Sequence, residues 1–228
     1  MSTLRRLGLV LLGGCLIGGC ATVPVPKLQQ ADSSGIGISL KLRAPIKIFS
    51  REPHTVYFVK TDADGGIRQI LLLRSNYAKD GRVYFLNLPP GSYAAVAAVF
   101  SQTQGPAGPT QPGFNITVGG GRTGYTTYFA KDLIEQTQVT VRKGELAFMG
   151  HYVVDQSGGL SEAEPIQLHY ADVIAPGASK SGVGHFLSSD YHYRGSIHEA
   201  KRDDETRSEF LSRAREDLAE GGWAGLIR

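Results

Sequence analysis

The chain has 228 residues, of which 41% are hydrophobic and 20% charged, with a formal net charge of +3. That length supports a core large enough to stabilise a domain without covalent staples. Both cysteines, Cys15 and Cys20, lie near the N-terminus, so the remainder carries no disulfide. No basic face or stripe stands out, and nucleic acid is not expected as a partner.

The first element is a leader. Arg5 and Arg6 precede an apolar run from Leu7 to Gly19. The run has the length of a secretory h-region and falls short of the ~20 apolar residues that cross a bilayer as a helix. It ends in Ile17-Gly18-Gly19-Cys20, which resembles the lipobox of bacterial lipoproteins. The resemblance implies cleavage before Cys20, three acyl chains on that cysteine, and attachment to a membrane as partner. Leu12-Gly13-Gly14-Cys15 fits the same pattern, but cleavage there leaves a shorter apolar core, so Cys20 is preferred. An ordinary secretory signal is the remaining alternative. In a Gram-negative cell, Ala21 after the cysteine implies the outer membrane, with the body facing the periplasm. Setting Arg5 and Arg6 aside leaves 22 basic residues against 21 acidic ones, a mature chain near neutrality.

Residues 20–35 are expected to be the lipidated cysteine and a tether. Pro24 and Pro26 favour extended backbone, and the Gln/Asp/Ser run lacks periodicity. Fully extended, such a segment reaches at most ~50 Å.

From Ile36 short apolar or alternating runs recur between Gly, Pro and Asp. Strands are expected near Ile36–Leu42, Thr55–Thr61, Ile67–Arg74, Arg82–Leu86, Ser92–Phe100, Tyr125–Phe129, Gln138–Arg142, Glu145–Val154 and Ile166–Tyr170. Helical periodicity is not evident over this stretch. Ala94–Val99 has helical propensity, but the turn before it favours a buried strand. Asp62–Gly66, Pro89-Pro90-Gly91 and Arg142-Lys143-Gly144 read as turns. The pattern predicts a mainly β chain, with an antiparallel β-sandwich, transthyretin-like or Ig-like, over residues 36–174. Leu88-Pro89-Pro90-Gly91-Ser92-Tyr93 and Lys143–Gly150 resemble transthyretin-like or carboxypeptidase-regulatory-like domains of bacterial lipoproteins. That resemblance implies a scaffold or binding module and no catalytic residues.

Gln102–Gly113 is a long Pro/Gly loop, prolonged by Gly119-Gly120-Gly121. Residues 175–228 are expected to form a Gly/Ser-rich irregular linker, Ala175–Gly195, and a C-terminal amphipathic helix near Asp204–Glu220. Phe210, Leu211, Ala214 and Leu218 line one face, and Gly221-Gly222 ends it. Ser196–Glu199 and Thr206–Glu209 both fit a capping box.

No catalytic constellation emerges. Gly119–Tyr125 lacks the Lys-Ser/Thr of a P-loop, and Gly177–Gly182 lacks the setting of a serine elbow. His185, Asp190, His192 and His198 match no compact metal motif. Asp62 and Asp64 lack the other ligands of a Ca²⁺ loop. No cofactor or metal is expected. The reading is a lipid-anchored, non-enzymatic envelope module with an envelope protein or glycan as partner. The alternatives are a binder of glycan or lipid and, behind it, a hydrolase or metalloenzyme. Exposed aromatics beside residues 102–124 would favour the ligand binder.

Overall fold

A computed structural model describes residues 23–45, 50–62, 71–103, 122–178 and 190–227. Among the described residues there are eleven strands: β1 (Ser34–Arg43), β2 (Ser50–Arg51), β3 (Thr55–Thr61), β4 (Leu73–Arg74), β5 (Tyr77–Lys79), β6 (Arg82–Leu88), β7 (Gly91–Thr103), β8 (Arg122–Phe129), β9 (Val139–Val141), β10 (Leu146–Gly158) and β11 (Asp190–Lys201). The helices are α1 (Lys131–Gln136), α2 (Pro165–Ile174) and α3 (Asp204–Asp217), with short 3₁₀ turns at Ala219–Gly221 and Ala224–Leu226. No helix among the described residues is long and apolar enough to cross a membrane. Cys15, Cys20 and the turn residues Ala63–Gly66 lie outside the described residues.

The strands form one sheet in the order β4-β3-β7-β8-β11-β10-β1-β6-β5, with β2 on β1 and β9 on β7. Its two end strands are consecutive along the chain. Between them, the Ser75 amide donates to the Val56 carbonyl and the Asn76 amide to the Tyr84 carbonyl. The sheet thus returns on itself, and its free edges are blunted. The Asn76 side chain imitates a strand residue: Nδ2 donates to the Leu86 carbonyl and Oδ1 accepts from the Leu86 amide, both at 2.9 Å.

The fold is mainly β, but the sheet is mixed where an antiparallel one was expected. β1 pairs with β10 in parallel, and β8 with β11. Parallel neighbours need long crossovers, and the chain between β8 and β11 holds α1, β9, β10 and α2.

Three local expectations are corrected. Ile166–Tyr170 is not a strand but part of α2. Pro165 opens that helix, and Glu164 and Gln167 form a reciprocal capping box. Helical order is also present in α1, where Leu133 and Ile134 turn inward. Asp190–Lys201, expected to be irregular, is a central strand, so Ser196–Glu199 does not cap a helix. Its polar side chains hid it. Gly195 is required there, because a Cβ would lie 2.7 Å from Thr127 Cγ2 and 2.9 Å from Val154 Cγ1.

The main core gathers Ile36, Ile38, Leu40 and Leu42 of β1 with Val56, Phe58, Val96, Phe129, Met149 and Val154, all fully buried. Ala94–Val99 is strand, as expected. In Leu88–Tyr93, the buried Tyr93 hydroxyl donates to the Pro89 carbonyl at 2.7 Å, locking the turn.

A second core lies on the other face of β1. Phe210, Leu211, Ala214 and Leu218 of α3 cover Tyr84, Leu86, Leu146 and Phe148. Gly37 permits this approach, since a Cβ there would stand 2.5 Å from Phe210 Cζ. Asp203 caps α3 by accepting from the Thr206 amide.

The second core also holds part of the expected tether. Val25 and Leu28 pack against it. Fully buried Trp223 donates from Nε1 to the Pro26 carbonyl at 2.8 Å. The Leu28 amide donates to Gly221, the Asn87 side chain donates to the Lys27 carbonyl, and Asn87 Oδ1 accepts from the Gln29 amide. β1 itself begins at Ser34.

Candidate functional site

Tyr125, Thr127 and Phe129 alternate onto one face of β8. Thr127 and Phe129 are completely buried. Tyr125, at the start of the strand, is where that apolar face emerges. Register places it beside Phe100 of β7 and Tyr191 of β11. The rings of Tyr125 and Tyr191 stack with centroids 5.3 Å apart and planes 12° from parallel. Phe100 lies 5.9 Å and Tyr193 6.4 Å from Tyr125. The Arg51 guanidinium sits over Tyr125 at 4.3 Å and over Phe100 at 5.4 Å. Such stacks and cation–π contacts each contribute about 0.5–1.5 kcal/mol and fix ring orientation. Tyr191 remains 40% exposed. Phe100 and Tyr125 flank residues 102–124 in the sequence, beside which exposed aromatics would favour a ligand binder.

Among the described residues, two Ser–His pairs bear on nucleophilic chemistry. On the rim of β7, His54 Nε2 and Ser101 Oγ are 2.7 Å apart. Arg122 Nε donates to the same oxygen at 2.8 Å, and His54 Nδ1 meets the Thr55 hydroxyl. Burial holds the His54 pKa below its ordinary value, with Arg122 and Arg74 adding to the effect. In a cleft of about 540 Å³ between α3 and the sheet, His151 Nδ1 and Ser39 Oγ are 2.9 Å apart. Burial, then Lys41, lowers the His151 pKa. Lys41 and Lys201 flank this pair on the sheet, and Glu205 and Glu209 face it from α3. Among the described residues, no carboxylate hydrogen-bonds either imidazole, as the orienting acid of a serine triad would. The first pair links the residue before β3 to β7, and the second links β1 to β10.

The histidines weighed for metal binding are separated. His192 Nδ1 meets the Tyr128 hydroxyl at 2.9 Å, and His198 Nδ1 lies 3.4 Å from Asp155. His185 and Asp64 lie outside the described residues. Among the described residues, no group of three His, Cys, Asp or Glu could hold a metal ion.

Sequence reading missed the aromatic row as a unit. Phe100 and Tyr125 fell in expected strands, but Tyr191 and Tyr193 lay in a segment taken as irregular. The alternation Tyr-His-Tyr was the available signal. The chain matches no protein-family model, no curated protein and no solved structure.

Proposed function

We propose that the protein is a lipid-anchored component of the bacterial cell envelope, held through Cys20 at the outer membrane, and that it binds envelope glycan without catalysing a reaction. The observation that carries the binding role is the partly exposed row of Phe100, Tyr125, Tyr191 and Tyr193 with Arg51. Pyranose rings present apolar C–H faces that stack on aromatic rings, and their hydroxyls accept hydrogen bonds from a guanidinium. The lipobox-like Ile17–Cys20 supports the anchor. Three acyl chains exceed the two signals that stable attachment requires.

For the architecture, we read the sheet as two facing halves of a sandwich, β4-β3-β7-β8 and β11-β10-β1-β6-β5. Phe58 of one half stacks on Phe85 of the other at 6.3 Å, in support of that layering.

Co-sedimentation of the mature protein with purified sacculi, and separately with lipopolysaccharide-derived polysaccharide, tests the binding role. Retention on one of them, lost in Tyr191→Ala, is the expected result. Absence of retention on both would refute it. A hydrolase is the second reading, prompted by Ser39 and Ser101. Labelling of either serine by a fluorophosphonate would favour it, whereas no labelling is expected.

A further inference from the structure

The docked N-terminal segment sets how close the body must sit to its membrane. Val25 is fastened to the second core, and Pro26, Lys27 and Leu28 are each hydrogen-bonded to the body. Five Cα steps lead from Cys20 to Val25. Fully extended, they span at most about 18 Å. The headgroup layer occupies about 5–8 Å on each side of a bilayer. What is left is about 10 Å, the width of a single helix. The ~50 Å reach of a free tether is therefore not accessible to this chain.

We infer that the surface around Val23–Lys27, β5 and the C-terminal end of α3 rests against the lipid headgroups. This inference rests on acylation of Cys20. The face includes Val23, which is 68% exposed, with Tyr77, Lys79, Glu216 and Glu220. Lys79 is paired with Asp217, and Lys27 stands against Glu216 and Glu220, so the face has no cationic patch for anionic lipid. The acyl chains supply the attachment, and the short span supplies the orientation. The closed strand order then fixes what points away. From β6 the path β1-β10-β11 reaches the aromatic row, and from β4 the path β3-β7-β8 reaches it from the other side. The anchor face and the aromatic row lie across the closed sheet from each other. The lipid-bound protein thus presents Tyr125 and Tyr191 away from its own bilayer.

Hydrogen exchange of the acylated protein on phosphatidylethanolamine–phosphatidylglycerol vesicles, compared with detergent, tests this. Exchange should slow at least fivefold in Val23–Leu28, Tyr77–Asp80 and Glu216–Gly222. It should be unchanged in Asp190–Arg194 and across α2. The pattern should persist at high salt and disappear when twenty Gly/Ser residues are inserted after Ala21. Uniform protection, or protection centred on β8 and β11, would overturn the orientation. The same measurement on the mature chain coupled through Cys20 to maleimide lipid separates the two claims. Protection of the expected face there, with an unacylated native N-terminus by mass, would reject the natural anchor but keep the geometry. Absence of protection there would reject the geometry.

Discussion

Asp217 is 5% exposed and is held by Arg82 Nε at 2.6 Å, Arg82 Nη2 at 3.2 Å, the Tyr84 hydroxyl at 2.8 Å and Lys79 Nζ at 3.4 Å. Burial opposes its charge, but the bonds from Arg82 and Tyr84 outweigh it, and the carboxyl pKa falls below its ordinary value. The same contact raises the Arg82 pKa. Removing one member of a buried pair strands the other, at a cost of about 3–5 kcal/mol. Asp217→Ala should lower unfolding stability by that amount in urea titration. A lowered folded pKa stabilises the fold above the unfolded value of about 3.9. That contribution declines as pH falls through this value toward the folded pKa. Below about pH 4, wild type should therefore lose stability faster than Asp217→Asn. Gly37 offers a second test. Gly37→Ala presses a methyl on the Phe210 ring and should cost about 1–3 kcal/mol, part of which Phe210→Leu should recover. None of this was legible beforehand. In the sequence Asp217 is one of several charges in the α3 segment, and Gly37 is one glycine within the Ile36–Leu42 run. Both acquire meaning from residues far away in the chain.

At the scale of elements, the strands with strong β-branched and aromatic content were legible: Thr55–Thr61 coincides with β3, and Arg82–Leu86 and Ser92–Phe100 fall inside β6 and β7. α3 was legible from its apolar face. α2 was not, because Ile-Gln-Leu-His-Tyr alternates as a strand would while Glu164-Pro165 sets a helix start. β11 was hidden by its charges and its glycine. Sheet closure could not be read either, since it depends on two polar residues. Asn76→Ala removes the bonds to Leu86 and should cost about 1–3 kcal/mol. Faster amide exchange in β4 and β5 than in β10 would accompany the loss. The docked segment depends on Trp223. Trp223→Ala should cost about 3–5 kcal/mol and expose the peptide bonds around Lys27 to trypsin.

For the whole molecule, the lipobox-like leader and the aromatic row are independent supports for one account. The leader reading rests on a local, compositional pattern in Arg5–Cys20. The row was not legible in the sequence, because it assembles from β7, β8 and β11, two of which pair in parallel across a long crossover. Tyr191 is the informative position, since it is exposed and its truncation should cost only the stack on Tyr125, about 0.5–1.5 kcal/mol. The most direct test is nuclear magnetic resonance titration of the mature protein with soluble oligosaccharides released from sacculi or lipopolysaccharide. Binding should shift the ring resonances of Phe100, Tyr125, Tyr191 and Tyr193 and the Arg51 Nε signal, and these shifts should vanish in Tyr191→Ala. Shifts confined to Ser39 and His151, or no shift with either glycan, would contradict the account.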